Sequence, residues 1–208
     1  MKKKFFVIGN PIEHSLSPKL HNYWIKKNNL KASYDKKFLE QDEIQQLIFD
    51  IREEKIQGAN VTVPFKKKVI PFLDILTDEA QSSQSVNTIY KNKDQIIGHN
   101  TDIDGFKMGL ETTNQIIKNK EAFILGAGGV VPSIIIALRK MQISKIYLSN
   151  RTEQQALEIK KLFPEIEIIE WGKVSSFDII INATSIGLNK KDEINIDYKN
   201  ISQNKFFY

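Results

Sequence analysis

The sequence contains no cysteine, and this absence excludes several classes of protein at once. A chain without thiols has no disulfide framework, thiolate zinc site, iron–sulfur cluster or cysteine nucleophile. Imidazoles are scarce as well, since histidine occurs only at His14, His21 and His99. We therefore expect chemistry that needs no metal.

Arginine is rare in a chain that is otherwise basic. The formal net charge is +5, yet only three of the 30 basic residues are arginine: Arg52, Arg139 and Arg151. Proteins that read nucleic acids favour arginine, because its planar fork makes bidentate contacts to bases and phosphates. The lysines are scattered, which is typical of a solvated surface. We expect no nucleic-acid partner.

Long hydrophobic runs are also missing. No segment approaches the ~18 apolar residues that a membrane-spanning helix needs, so we expect no membrane association. After the basic start Met1–Lys4, the apolar stretch stops within about five residues, whereas a signal peptide needs roughly 7–15. This pattern predicts a first strand instead of a signal peptide, and a cytoplasmic protein.

The 208 residues fall between one domain and two, at ~150 residues per domain. Strands alternate with helices throughout, which predicts an α/β fold with a parallel sheet covered on both faces. We place a domain boundary near Asp102–Gly105. The predicted strands are 5–8, 33–38, 58–63, 85–90, 95–99, 121–125, 145–149, 165–170 and 177–181, with 85–99 as a hairpin. The predicted helices are 17–27 (Ser17 as N-cap), 42–54, 104–117, 130–141 and 153–162.

A glycine-rich turn joins a buried strand to a helix in the second half. Gly126 allows a tight turn, and Gly128 lets the backbone approach a pyrophosphate at the helix N-terminus. Val131 stands where a third small residue is usual, so a plain strand-to-helix turn remains the alternative. About 20 residues further on, a site for NAD needs an acidic residue. Arg151 occupies that region instead, and a guanidinium suits the 2′-phosphate of NADP.

Polar residues also stand at several strand ends. Ser15 and Ser17 follow the first strand, Asn60-Val-Thr62 ends another, and Asn182-Ala-Thr184 ends a buried strand of the second half. Each group alone is ordinary turn chemistry. Together with the amide of Asn87, one lysine and one aspartate, the hydroxyls of the first half suit a small polyhydroxylated ligand.

Seven motifs, in order along the chain, resemble those of shikimate dehydrogenases. They are His14-Ser-Leu-Ser-Pro, Asn60-Val-Thr-Val-Pro-Phe-Lys, Val86-Asn-Thr, Asn100-Thr-Asp-x-x-Gly, Gly126-Ala-Gly-Gly, Asn150-Arg-Thr and Asn182-Ala-Thr-Ser. The resemblance implies an oxidoreductase that reduces 3-dehydroshikimate to shikimate with NADPH, in aromatic amino acid (chorismate) biosynthesis. It implies an α/β substrate domain (1–103) and a Rossmann-like NADP-binding domain (104–208). The family continues for about sixty more residues, so the second domain is expected to be incomplete (a domain averages ~150 residues).

The resemblance also implies roles for individual residues. Lys66 and Asp102 are expected to form the catalytic pair. The expected substrate-binding residues are Ser15, Ser17, Thr62, Lys66, Asn87 and Asp102. The expected cofactor-binding residues are Asp78, Gly126, Ala127, Gly128, Gly129, Val130, Asn150, Arg151, Thr152 and Thr184.

Two alternatives stay open at this point. One is a quinate/shikimate dehydrogenase, although the paired serines favour shikimate. The other is a shortened, inactive chain that retains only cofactor or ligand binding. A homodimer is considered as well.

Overall fold

Two units, each built around its own sheet, make up the computed structural model. Residues 2–174, 177–187, 201 and 205–208 are described. The units are Met1–Thr101 and Asp102–Tyr208. Within the described ranges, no helix is long and apolar enough to cross a membrane.

The sheet of the first unit is mixed. Its strands are β1 (Lys3–Gly9), β2 (Ala32–Phe38), β3 (Gly58–Val61), β4 (Ile75–Leu76), β5 (Thr88–Asn92) and β6 (Gln95–His99), in the order β2-β1-β3-β5-β6-β4. β1 is parallel to both β2 and β3, whereas β5 is antiparallel to β3 and β6. The sheet is not wholly parallel, because the predicted hairpin forms β5 and β6 and inserts an antiparallel pair.

The helices of the first unit are α1 (Ser17–Lys27), α2 (Ile44–Arg52) and α3 (Asp78–Ser83), with short 3-10 helices at Gln41–Glu43 and Ile70–Phe72. α2 buries Ile44, Leu47, Ile48 and Ile51, the apolar positions that its helical period predicts. They pack with Ile8, Val61 and Ile89 of the sheet in one core.

The start of α1 corrects our prediction that Ser17 is its N-cap. Leu16 is the N-cap residue and makes no side-chain capping hydrogen bond, while Ser17 and Pro18 lie inside the first turn. The N–H of Ser17 instead donates to Ser15 Oγ at 3.3 Å. Ser15 thus satisfies one of the backbone donors that a helix start leaves without an intrahelical partner.

The sheet of the second unit is parallel throughout its described strands. These are β7 (Glu121–Leu125), β8 (Lys145–Ser149), β9 (Glu167–Ile168), β10 (Ile179–Asn182) and β11 (Phe206–Phe207), in the order β11-β10-β7-β8-β9. The helices are α4 (Asp102–Glu111), α5 (Val131–Lys140) and α6 (Glu153–Leu162). The strand order reverses between β7 and β10, as in a Rossmann-like sheet, where ligands bind at the carboxyl ends of the strands beside this reversal.

The end of α4 differs from the prediction, which extended this helix to residue 117. The helix stops at Glu111, because the hydroxyls of Thr112 and Thr113 donate hydrogen bonds to the carbonyls of Gly109 and Leu110, each at 2.6 Å. Such bonds compete with the helical pattern. Asn114 then takes a left-handed conformation with φ 57°, which ends the helix.

Candidate active site

The loops that follow β1 and β3 touch each other in the first unit. The N–H of Asn10 donates to the Val63 carbonyl at 3.0 Å, and the N–H of Thr62 donates to the Ile8 carbonyl at 2.9 Å. A Cβ at Gly9 would lie only 2.6 Å from Thr62 Cγ2. The close approach therefore requires glycine, and it fixes the chain leading to Ser15 against the stretch that carries Thr62.

Ser15 and Ser17 are both half-buried at the N-terminal end of α1. Two hydroxyls beside a helix N-terminus form a setting that favours an anion, because the free backbone N–H groups carry partial positive charge. This geometry suits a small carboxylate. Arg52, the one arginine in the sequence of the first unit, is engaged elsewhere, since it donates two hydrogen bonds to Asp74, each at 2.9 Å.

Asn87 lies just before β5 and is 9% exposed. Its Nδ2 donates to Thr101 Oγ1 at 2.8 Å, and its Oδ1 accepts from the Thr101 N–H at 3.0 Å. Its backbone is tied as well, because Val61 N–H donates to the Asn87 carbonyl at 2.8 Å. The carboxamide therefore has a defined orientation, which a site for ring hydroxyls needs.

Lys66 and Asp102 are half-buried residues in different units, so each is described within its own. Lys66 follows β3, and its carbonyl accepts from the Val86 N–H at 2.9 Å, which places the lysine beside the loop segment that leads to Asn87. Asp102 is the first residue of α4, where a carboxylate is favoured by the helix dipole.

Asp78 is exposed and begins the short helix α3. Thr77 caps this helix by accepting from the Ala80 N–H, and Thr77 Oγ1 lies 2.9 Å from His99 Nδ1. An acidic residue in a first helical turn is favourable without any ligand. Helix stabilisation accounts for the position of Asp78, and a cofactor contact there stays a prediction.

The glycine loop of the second unit lies at the reversal of strand order. Gly126 has φ +104°, and a Cβ there would meet the Ala183 carbonyl oxygen at 2.8 Å. In contrast, Gly128 is exposed, and the nearest atom to a Cβ there is 4.0 Å away. Gly126 therefore closes the turn against the chain after β10, and Gly128 leaves open space beside the start of α5.

The residues of this loop fit a dinucleotide pyrophosphate. Ala127, Gly129 and Val130 complete the turn from β7 to α5, and its exposed glycines leave backbone accessible. Val131, the first residue of α5, stands where a small residue is usual. It is fully buried and packs in the core with residues of β7.

Asn150 connects the glycine loop to the loop after β8. Its Oδ1 accepts from the Ala127 N–H at 3.1 Å, and its Nδ2 donates to the Thr152 carbonyl at 2.8 Å and to Gln155 Oε1 at 3.0 Å. We expected Asn150 as a cofactor contact, and the described geometry gives its amide a structural task as well. No sequence motif indicated Gln155.

Arg151 and Thr152 are exposed at the end of β8. In the part of the chain that the structure describes, no carboxylate pairs with Arg151. By contrast, Arg139 pairs with Glu165 and lies over the ring of Phe163. The guanidinium of Arg151 is thus placed where it can meet a phosphate.

Thr184 stands in the turn after β10. Its N–H and its Oγ1 both donate to Asn182 Oδ1, at 3.0 and 2.7 Å, and its Oγ1 accepts from the Ile186 N–H at 3.0 Å. The neighbouring Ala183 N–H donates to the Leu125 carbonyl at 2.8 Å, so the turn lies beside the glycine loop. Thr184 is therefore held at the carboxyl edge where a nicotinamide is expected.

Comparisons with known proteins agree with this arrangement. A family model described as the shikimate dehydrogenase substrate binding domain matches residues 7–89. The whole chain is 69% identical to the shikimate dehydrogenase (NADP(+)) of Pelagibacter ubique and covers 78% of that protein. It is 39% identical to the protein of the same name from Desulfitobacterium hafniense, with 92% of this chain and 72% of that protein covered.

Two solved structures extend the likeness to the fold. Shikimate dehydrogenase from Aquifex aeolicus has a TM-score of 0.88 and 33% identity, covering 99% of this chain and 77% of that one. The enzyme from Thermus thermophilus, solved in complex with NADP(H) and shikimate, has a TM-score of 0.80 and 31% identity, covering 89% and 70%.

The Rossmann-order sheet, its glycine loop and these relatives define an NADP-dependent oxidoreductase. The chain belongs to the shikimate dehydrogenase family. This confirms the resemblance carried by the seven motifs, the α/β fold class and the choice of NADP as cofactor.

Proposed function

We propose that this chain catalyses the reversible NADPH-dependent reduction of 3-dehydroshikimate to shikimate in aromatic amino acid biosynthesis. The observation that carries the proposal is 69% identity, over all 208 residues, to a shikimate dehydrogenase (NADP(+)). A relative solved with both NADP(H) and shikimate supports the same substrate.

Lys66 and Asp102 form the proposed catalytic pair. Bound NADPH supplies the hydride that reduces the ring carbonyl. The Lys66 ammonium donates a proton to the oxygen that becomes the hydroxyl, and the amine takes it back in the reverse direction. The positive charge also stabilises negative charge developing on that oxygen. Asp102 is assigned to binding a ring hydroxyl.

The substrate carboxylate is assigned to Ser15 and Ser17, with Thr62 beside them. The support is their half-buried position next to the N-terminus of α1 and the engagement of Arg52 by Asp74. Asn87 is assigned to a ring hydroxyl, since its carboxamide is held in a fixed orientation by Thr101. These are the groups that a small polyhydroxylated carboxylate needs.

The cofactor is assigned to the second unit. Residues 126–130 would hold the pyrophosphate, Arg151 the 2′-phosphate, and Asn150 and Thr152 would complete that loop. Thr184 would lie toward the nicotinamide, and Asp78 of the first unit near the cofactor. In this proposal residues 1–103 bind substrate and residues 104–208 bind NADP.

The test is an assay of the purified 208-residue chain. We expect shikimate oxidation to reduce NADP, followed at the nicotinamide absorbance, with NAD and quinate as the comparison substrates. Comparable rates with quinate would favour the quinate/shikimate alternative. NADP-dependent thermal stabilisation without turnover would favour the inactive binding chain. Absence of both turnover and shikimate binding would contradict the proposal.

Two further assignments are proposals of the same kind. A homodimer is tested by light scattering coupled to gel filtration, where the monomer mass of 24.0 kDa is the reference. A cytoplasmic location, which suits a biosynthetic enzyme that draws on NADPH, is tested by cell fractionation.

A further inference from the structure

Tyr34 places a buried hydroxyl between the two ends of the proposed substrate site. The residue lies in β2 and is 6% exposed. Its hydroxyl donates to Asn60 Oδ1 at 2.6 Å. The phenol oxygen also interacts with the side chain of Ser17, the residue proposed to bind the carboxylate. No motif of the sequence singles out this tyrosine, because it stands in the middle of a strand.

From Asn60 the hydrogen bonds continue to the opposite end of the site. Asn60 Nδ2 donates to the Asn87 carbonyl at 3.2 Å and to Thr88 Oγ1 at 3.1 Å. The Thr88 hydroxyl in turn donates to Asn87 Oδ1 at 3.0 Å. A chain of polar contacts therefore links Ser17 to Asn87 through Tyr34. Residues in such a network orient one another.

The ring of Tyr34 is held firmly in place. It stacks on His21 with the ring centroids 4.1 Å apart and the planes within 3°. Its N–H donates to Asn22 Oδ1 at 3.1 Å, and its carbonyl accepts from Asn22 Nδ2 at 2.6 Å. Both partners belong to α1, the helix whose first residue is Ser17, so Tyr34 fixes this helix start relative to the sheet.

The phenol remains a hydrogen-bond donor at ordinary pH. Burial raises the pKa of Tyr34 well above its usual range, and the interaction with Ser17 lowers it by a smaller amount. A hydroxyl rotates about its C–O bond and both donates and accepts. The Tyr34 hydroxyl gives its one proton to Asn60 Oδ1, so toward Ser17 the phenol oxygen can only accept.

We propose that Tyr34 is a positioning residue of the substrate site: its hydroxyl holds the Asn60 carboxamide, and through it Asn87, in one orientation. The inference rests on the proposed function, because it assumes that Asn87 binds a ring hydroxyl of shikimate. Preorganised groups bind a rigid ligand more tightly, since less ordering remains when the ligand arrives.

The experiment compares Tyr34→Phe with the parent enzyme. Phenylalanine retains the ring and its stacking on His21 but lacks the hydroxyl. We expect KM for shikimate to rise about fivefold, the effect of losing roughly one net hydrogen bond. We expect kcat and KM for NADP to stay within about twofold, and Tm within ~3 °C. Tyr90→Phe, the same change at an exposed tyrosine of the same sheet, is the control and should leave every constant unchanged.

A second measurement separates positioning from packing. The double variant Asn60→Ala with Tyr34→Phe should raise KM for shikimate by less than the product of the two single effects, because both remove the Tyr34–Asn60 hydrogen bond. A purely structural role predicts instead a lower Tm, less active enzyme and an unchanged KM. Tyr34→Leu, which also removes the ring, reports that packing contribution.

The outcomes distinguish failure of the positioning role from failure of the proposed function. If the parent enzyme oxidises shikimate and Tyr34→Phe leaves its KM unchanged, the positioning role is overturned and the proposed function stands. Independent, multiplicative effects of Asn60→Ala and Tyr34→Phe would also overturn it. If the parent neither turns over nor binds shikimate, the proposed function fails, and the positioning role fails with it.

Discussion

The two units hold their proposed functional groups by different means. In the first unit side chains hold side chains, as in the hydrogen bonds from Tyr34 to Asn60, from Asn60 to Thr88 and from Thr88 to Asn87. In the second unit the backbone forms much of the site, since Gly126 closes a turn against Ala183 and Gly128 leaves space beside α5. In the proposed function, substrate specificity therefore depends on many hydrogen bonds of the first unit, whereas cofactor binding depends largely on the shape of the glycine loop in the second.

The largest expected effect comes from removing Lys66, the proposed general acid, from the first unit. Lys66→Ala should lower kcat by about 10²- to 10⁴-fold, because it removes general acid–base catalysis. The comparison of the two units predicts no change in NADP affinity, measured by fluorescence or calorimetry. Lys67→Ala, at the exposed neighbour, is the matched control. Near-normal turnover of Lys66→Ala would contradict the role assigned to this lysine.

A change in the glycine turn of the second unit should instead weaken cofactor binding and spare substrate binding. Gly126→Ala combines a φ of +104° with a Cβ placed 2.8 Å from the Ala183 carbonyl oxygen, so the loop must shift. We expect KM for NADP to rise about tenfold or more, with shikimate affinity little changed.

The control for this change separates strain from crowding. Gly172 has φ +90°, with no atom within 4 Å of a Cβ, so Gly172→Ala carries only the strain of about 1–2 kcal/mol. Equal effects of Gly172→Ala and Gly126→Ala on NADP binding would show that contact with Ala183 is unimportant.

The cofactor preference should change moderately when the guanidinium of the second unit is lost. Arg151→Ala should raise KM for NADPH about tenfold and reduce the preference for NADP over NAD, since one charge-assisted contact to the 2′-phosphate disappears. Arg139→Ala, which breaks the pair with Glu165, should instead lower Tm without affecting preference. A preference that survives Arg151→Ala would refute its assignment.

The smallest expected effect depends on pH. Hydrogen bonds from Arg52 and from the Ile96 N–H hold the pKa of Asp74 below its usual value of 3.8. Because the folded pKa is depressed, the stabilisation is complete above the unfolded value and is lost as pH falls through the folded one. Asp74→Asn should lower Tm by about 2 °C at pH 7.

Thermal melts across the acid range check this linkage. The Tm difference between the parent and Asp74→Asn should shrink below pH 3.8, as the parent's carboxyl becomes protonated. Glu170→Gln, at a highly exposed pair with Lys173, is the control and should leave Tm unchanged. A difference that persists unchanged at acid pH would rule out the linkage.

Local sequence signals predicted the second unit well and the first less completely. Alternating apolar strands and a glycine turn specify a parallel sheet. The strand β4 and the helix α3 were missed, because two- and six-residue elements carry little periodicity.

The contacts within the proposed site were the least predictable feature. Motifs indicated Ser17 and Asn87 one by one, but no local pattern shows that Tyr34 lies between them, 17 and 53 positions away. Such contacts depend on how β1, β2 and β3 are aligned across the sheet. The same holds for Asn150 and Ala127, which are 23 positions apart.

The amide of Asn150 has a consequence for attempts to redesign the cofactor preference. Exchanging the loop after β8 is the direct way to make an enzyme accept NAD, because that loop carries Arg151. Here Asn150 of the same loop also accepts a hydrogen bond from the Ala127 N–H of the glycine turn. A loop exchange that discards Asn150 would therefore loosen binding of the pyrophosphate, which both cofactors share. Selectivity for NAD would then be gained together with a general loss of affinity, unless an acceptor for that N–H is retained.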